Sequence, residues 1–153
     1  MITGNKQPMS NNQRLLLDNQ LCFSLYSASL AMTQLYKPYL EPLGITYPQY
    51  LILLILWEQD GLGLKDIGAR LRQKSGALTP VIKRMEEDGL IRRVRLADNE
   101  RQLDIRLTAK GNALRDQAVT VNHCVAEACG LADAELLDLK ERLDQLRQNL
   151  QAQ

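Results

Sequence analysis

Apolar side chains at Leu17, Leu21, Leu25, Ala28, Met32 and Leu35 recur at three- and four-residue steps, the spacing of one face of an α-helix. The stripe predicts a long first helix from Asn11 to about Leu40. Pro38 and Pro42 end it in this reading, because proline lacks an N–H and pushes its predecessor away from helical angles. A loop, EPLGI, follows. The stretch TYPQYLILLILWEQDGLG then predicts a second helix, with Thr46 or Tyr47 at its cap, Pro48 in the first turn, and Gly61 and Gly63 as stops. Almost every face of it is apolar, so it belongs at the centre of a core. Its run YLILLILW falls far short of the roughly 20 residues that cross a bilayer.

LKDIGARLRQ reads as a short amphipathic helix, and SGALTPVIKRMEEDG as another, capped by Ser75 and closed by Gly89, with only a tight turn at KS between them. Beyond Gly89 the period changes. LIRRVRL and QLDIRLT alternate apolar and polar positions on either side of the polar tip ADNER, which predicts a β-hairpin. Helical spacing returns from Thr108 to Gly130 and from Asp133 to Leu150, where Leu136, Leu139, Leu143, Leu146 and Leu150 share a stripe. The predicted fold is mainly α with one small hairpin. A helix, a short turn, a second helix and a basic hairpin make a winged helix-turn-helix, whose second helix enters a major groove of DNA while the hairpin reaches an adjacent groove.

Charge sharpens this picture. The chain of 153 residues carries a net charge of only +1, yet residues 65–106 hold 11 basic against 7 acidic groups, and both flanks are slightly negative. The positive field therefore coincides with the predicted wing and helix pair. A content of 45% hydrophobic and 24% charged residues excludes disordered and fibrous classes and suits a single unit of this length. The N-terminal stretch has no signal-peptide pattern, so a cytoplasmic protein is expected. Three cysteines, Cys22, Cys124 and Cys129, are a poor basis for a permanent disulfide scaffold, and His123 beside the last two lacks zinc-type spacing. No carboxylate pair, nucleotide loop or Ser-His-Asp set stands out. Neither an enzyme nor a bound metal or cofactor is expected.

The order LGITYPQYLILLILWE, SGALTPVIKRMEEDGLIRR, DNERQLDIRLTAKG resembles the MarR family of bacterial transcription regulators over nearly the whole chain. The resemblance implies a MarR-type dimer in which helices over 11–45 and 109–153 form the dimerisation region and 46–108 forms the DNA-binding unit. It implies a recognition helix starting near Ser75, with Ser75, Ala77, Thr79, Pro80, Lys83 and Arg84 at the DNA. Their chemistry suits the role: hydroxyls serve bases or phosphates, an alanine methyl meets a thymine methyl, and cations neutralise phosphates. In the hairpin, Asp98 and Arg101 match the family's Asp-x-x-Arg pattern, in which the carboxylate orients an arginine into the minor groove. Arg95 belongs to the same wing; the plainer alternative, that Arg92, Arg93, Arg95 and Arg101 merely solvate a hairpin, is disfavoured because charge, turn and motif coincide there.

Within that family, LDNQLCFSLYSASLAMTQLYKPYLEPLGITYPQYL is similar to the organic hydroperoxide resistance regulators. The resemblance implies that Cys22 is a peroxide-sensing thiolate and that Tyr36 and Tyr47, supplied across the dimer, hydrogen-bond to it. An isolated thiol has a pKa of about 8.5, so the reactive anion needs such stabilisation, and a phenol O–H can donate it. Phe23, Leu21 and Leu25 would offer apolar walls to an organic peroxide. A sulfenic acid at Cys22 can condense with a second thiol. Two-cysteine members place that thiol between the positions of Cys124 and Cys129, where this chain has Glu127. Cys124, one helical turn away, is the favoured substitute; Cys129, or a small-molecule thiol, stays open.

The expected function is a repressor that binds double-stranded operator DNA as a homodimer and leaves it when an organic hydroperoxide oxidises Cys22. Three rivals remain. A repressor released by a reversible aromatic ligand would need no cysteine, a thiol peroxidase would turn over repeatedly, and an architectural DNA-binding protein would leave the Cys-Tyr-Tyr set unused.

Overall fold

A computed structural model describes residues 8–96 and 99–153, and for residues 96 and 99–102 the backbone alone. Helix α1 (Asn11–Arg14) is a single turn fixed by a capping box between Ser10 and Gln13. A 3-10 turn at Leu17–Asn19 follows, and α2 begins only at Leu21 and runs to Leu40. The expected continuous helix from Asn11 is therefore interrupted. Leu16 and Gln20 are extended, and the side-chain amides of Asn19 and Gln20 donate to the carbonyls of Gln13, Arg14 and Leu16, taking the acceptors that a helix would use. At the other end Pro38 lies inside α2 and does not end it. Its missing N–H removes the bond to Gln34, and the N–H of Glu41 still reaches the Lys37 carbonyl, so the last turn forms.

Helix α3 (Tyr47–Glu58) starts at Thr46, whose Oγ1 accepts from the N–H of Gln49 while Gln49 Oε1 accepts from the N–H of Thr46. It buries Tyr50, Ile52, Leu53, Ile55 and Leu56, as its apolar composition requires. Strand β1 (Leu62–Gly63) precedes α4 (Leu64–Leu71) and α5 (Ser75–Glu87). The cap of α5 is Lys74, not Ser75: Lys74 is the last extended residue, and Ser75 is already helical. The hairpin of β2 (Ile91–Leu96) and β3 (Asn99–Leu107) has a register shift at Arg95/Leu96, and β1 adds to it as a third strand, in the order β1-β3-β2.

Helix α6 (Ala109–Ala128) is capped by Thr108, whose hydroxyl donates to the Gly89 carbonyl (2.6 Å) and accepts from the N–H of Gly111 (3.1 Å). That one side chain ties the start of α6 to the turn after α5. Trp57 Nε1 donates to the Gly111 carbonyl at 3.0 Å, joining α3 to the same place. Helix α7 (Asp133–Gln151) closes the chain.

The core is built from Ile52 and Leu53 of α3, Ile67 of α4, Leu78, Ile82 and Met85 of α5, Leu90, Ile91 and Ile105 around the sheet, and Ala118, Val121 and Val125 of α6. Of α2 only Leu40 is fully buried, and every residue of α7 is exposed or half-buried. Much of the apolar stripes of α2 and α7 thus faces outward, with Leu21 60%, Met32 38%, Leu139 46% and Leu143 41% exposed, while Leu35 packs against the core. Exposed apolar area on this scale marks an interaction surface.

Candidate DNA-reading surface and thiol site

Helix α5 has two faces. Leu78, Ile82 and Met85 point into the core, and the periodicity that buries them turns Ala77, Thr79, Pro80, Lys83 and Arg84 outward, with Ser75 half-buried at the first turn. The outward face is the set selected from the sequence. Thr79 Oγ1 donates to the Ser75 carbonyl at 3.3 Å, and Arg84 Nε lies 3.4 Å from Asp88 Oδ1. Lys83 has no carboxylate partner among the described residues.

In the wing, Arg95 is exposed on β2 opposite Leu103. Asp98 lies outside the described residues, as does the side chain of Arg101, whose backbone belongs to β3. Arg93 is spent on structure. Its Nη2 donates to Glu86 Oε1 at 2.8 Å and its backbone N–H to Glu86 Oε2 at 3.2 Å, clamping β2 to α5. Hydrogen bonding by Arg93 holds the Glu86 carboxyl below its usual range and raises the guanidinium in turn. Sequence reasoning also passed over Asp104, a buried carboxylate on β3 that lies 3.5 Å from Arg106. Asp60 Oδ1 accepts from the N–H of Leu107 at 2.9 Å and anchors β3 to the end of α3.

The phenols gather at the junction of α2 and α3. Ring centroids of Tyr36 and Tyr47 are 5.0 Å apart, and Tyr50 joins them at 5.3 Å from Tyr36 and 6.4 Å from Tyr47. Such tilted contacts are favourable geometry for aromatic pairs. Burial pushes the Tyr36 phenol well above its ordinary range, with Tyr50 and Tyr47 adding to the effect, and burial also raises Tyr47. Both therefore stay protonated, which makes them hydrogen-bond donors. Tyr50 went unnoticed in the sequence, although its place one turn after Tyr47 was the signal.

Cys22 is not among them. It is exposed on the first turn of α2, while Tyr36 lies fourteen positions further along the same helix, about 21 Å away at 1.5 Å per residue. The two late cysteines differ in surroundings. Cys129 caps the end of α6, which leaves Trp57 at Gly111 and passes Leu54 at Ala118 on its way toward the phenol end of α3, whereas Cys124 lines a groove with Pro38, Tyr39, Pro42 and Leu43. Among the described residues no cluster of three potential metal ligands occurs, and no helix is long and apolar enough to cross a membrane. His123 pairs with Glu127 at 3.5 Å on the surface of α6.

Comparison with known proteins gives matches over both regions. The MarR family model matches residues 45–103. The organic hydroperoxide resistance transcriptional regulator of Bacillus subtilis is 46% identical over 134 residues, which span 88% of this chain and 91% of that protein. The HTH-type transcriptional regulator TtmR of Methylorubrum extorquens is 42% identical over 150 residues, 98% of this chain and 74% of its own. Among solved structures, overoxidized AbfR bound to DNA, a Staphylococcus epidermidis protein, superposes with a TM-score of 0.74 at 38% identity, covering 92% of this chain and 99% of that one.

Proposed function

The chain belongs to the MarR family of transcriptional regulators, and from that premise we propose that it is a homodimeric, operator-binding repressor in which Cys22 reads organic hydroperoxides. The observation that carries the reading is the distance between Cys22 and the phenols of its own chain. A thiol exposed at one end of α2 and a cluster of protonated phenols at the other form one site only when two chains pack with their α2 helices antiparallel. The outward apolar stripes of α2 and α7 supply the surface for such packing. In this reading helices over 11–45 and 109–153 hold the dimer, and 46–108 reads DNA.

Tyr36 and Tyr47 of one protomer then donate hydrogen bonds to Cys22 of its partner and stabilise the thiolate. The sulfur attacks the outer peroxide oxygen, the O–O bond breaks, and the alcohol leaves as an alkoxide that takes a proton from water. The product at Cys22 is a sulfenic acid. A thiolate attacking that sulfur expels hydroxide and forms a disulfide. We favour Cys129 over Cys124 for this second step, because α6 runs back along α3 and carries Cys129 toward the phenol end that receives the partner's Cys22. Either product is larger than the thiolate the phenols held, so the packing at the head of α3 shifts and the two α5 helices lose their half-site spacing. At the DNA, Ser75, Ala77, Thr79, Pro80, Lys83 and Arg84 meet the major groove, and Arg95, Asp98 and Arg101 belong to the wing.

The test is operator binding by wild type and Cys22→Ser before and after one equivalent of an organic hydroperoxide, with intact mass on the same samples. Release of wild type alone, with the added mass on Cys22, is the expected result. Release of both proteins would sink the thiol switch. It would favour the second reading, a reversible ligand in the groove of about 310 Å³ between α2 and α6.

A further inference from the structure

The turn between α4 and α5 contains a residue in the wrong conformation for its type. Arg72 closes α4 with φ +59°, ψ +33°, the left-handed region that disfavours any side chain with a Cβ. Its N–H reaches the Ala69 carbonyl at 3.3 Å, and the next N–H, of Gln73, reaches the Gly68 carbonyl at 2.9 Å, so the helix ends in the motif that normally recruits glycine. At the other left-handed positions among the described residues the chain does use glycine: Gly44, Gly61, Gly89 and Gly130. Arginine at this one position is a conformational cost that the fold does not need.

Several arginines of this unit are held by carboxylates, whereas Arg72, like Arg92 and Arg95 of the wing, has no such ion pair among the described residues. Arg70 pairs with Glu58 at 2.7 Å, Arg84 with Asp88, Arg93 with Glu86, and Arg106 with Asp104. Arg72 is exposed and has no carboxylate within ion-pair distance among the described residues. Asp66, which lines a groove with Arg72, Leu62 and Arg70, accepts from the N–H of Gly63 at 3.3 Å. Lys74, two positions on and likewise exposed, has no such partner either.

We infer that Arg72, with Lys74 beside it, is a phosphate clamp that sets the register of the recognition helix on the duplex. The inference rests on the DNA-binding reading above. When α5 lies in a major groove, the helix before it crosses the sugar-phosphate backbone, and the turn joining the two is held against that backbone. Arg72 occupies this turn three residues before α5 begins. A left-handed residue there sends its Cβ off in a direction that a helical residue at this place would not take, and the exposed guanidinium on its long stem has reach to a phosphate. Strain of this kind is retained where the held conformation serves binding.

The experiment separates folding from binding, because glycine relieves the strain while removing the charge. Arg72→Gly, Arg72→Leu and Arg72→Lys are compared with wild type by thermal melting and by titration of a duplex that the wild type selects from a randomised pool, over a range of salt. Arg72→Gly is expected to melt no lower than wild type, and about 2–5 °C higher. It should nevertheless bind about tenfold more weakly, with the slope of log affinity against log salt reduced by about 2 for a dimer that loses one phosphate contact per protomer. Arg72→Leu keeps the aliphatic stem and should share the binding loss; Arg72→Lys should recover most of the slope. Unchanged affinity and slope in both Gly and Leu variants would overturn the clamp while leaving DNA binding intact. Failure of the wild type to enrich any duplex would instead overturn the reading on which the clamp depends.

Discussion

Cys22 and Tyr36 share helix α2 and stand about 21 Å apart along it, so no motion short of unfolding that helix brings them together within one chain. This makes the sensor testable by mixing. In the proposed dimer, a heterodimer of a Cys22→Ser chain with a Tyr36→Phe, Tyr47→Phe chain would have its single Cys22 facing an intact phenol pair. That thiol should be oxidised by an organic hydroperoxide at the wild-type rate, whereas the double-phenylalanine homodimer should react about tenfold more slowly, the effect of about one unit in thiol pKa. Stopped-flow loss of free thiol distinguishes them. Equal slow rates in both would place the phenols outside the thiol's environment.

The place of Cys129 at the end of α6, which runs back along α3 toward its phenol end, predicts the architecture of the oxidised protein in the proposed switch. After one equivalent of hydroperoxide, a non-reducing gel should show a covalent dimer of about twice the monomer mass. Cys129→Ser should abolish it and Cys124→Ser should not. Loss of the cross-link in Cys124→Ser alone would assign the second step to the groove-lining thiol.

The phenol cluster also dictates behaviour at high pH. Folding raises Tyr36 and Tyr47 above the ordinary phenol value of 10.0. The folded chain therefore keeps protons that the unfolded chain releases, and the stability they contribute is complete below pH 10 and is lost as pH climbs past it. Chemical denaturation should show a stability that falls through this alkaline window in wild type. In Tyr36→Phe the decline should be shallower, and an identical slope would show that the phenol ionises freely.

Gly111 sits where α6, the sheet and Trp57 converge, and a Cβ built on it would fall on the Leu90 carbonyl oxygen, a backbone atom that cannot step aside. Gly111→Ala should lose about 3 kcal/mol, read as a lower denaturation midpoint at constant m. Gly76→Ala is the control: its Cβ meets nothing within 4 Å, and it lies in a helix, so stability should hold or rise by about 0.5 kcal/mol.

Local chemistry explains which parts of this could be read in advance. The face of α5 was legible because Leu78, Ile82 and Met85 keep one period over the whole helix, which fixes the opposite face without further information. The hairpin was legible for the same reason, with period two. The break before α2 was not, since Leu17 and Leu21 sustain the helical stripe while the amides of Asn19 and Gln20 divert the carbonyls beneath it. Strand β1 is two residues long, too short for any period, and exists only because Leu62 and Gly63 meet Ile105 and Asp104. The role of Arg93 depended on Glu86, a partner across a helix end and a turn. Cys22 and Tyr36 were identified by resemblance, and the structure adds the distance that separates them within a chain.

Helix α7 has a further consequence. With no residue fully buried in its own chain, it would gain its stability by association in the proposed dimer, and the folded population would then obey mass action in the protein itself. A cell that dilutes the regulator weakens the dimer and its hold on DNA, and a cell that accumulates it strengthens both. Copy number would then set the threshold at which the proposed switch feels a given dose of oxidant.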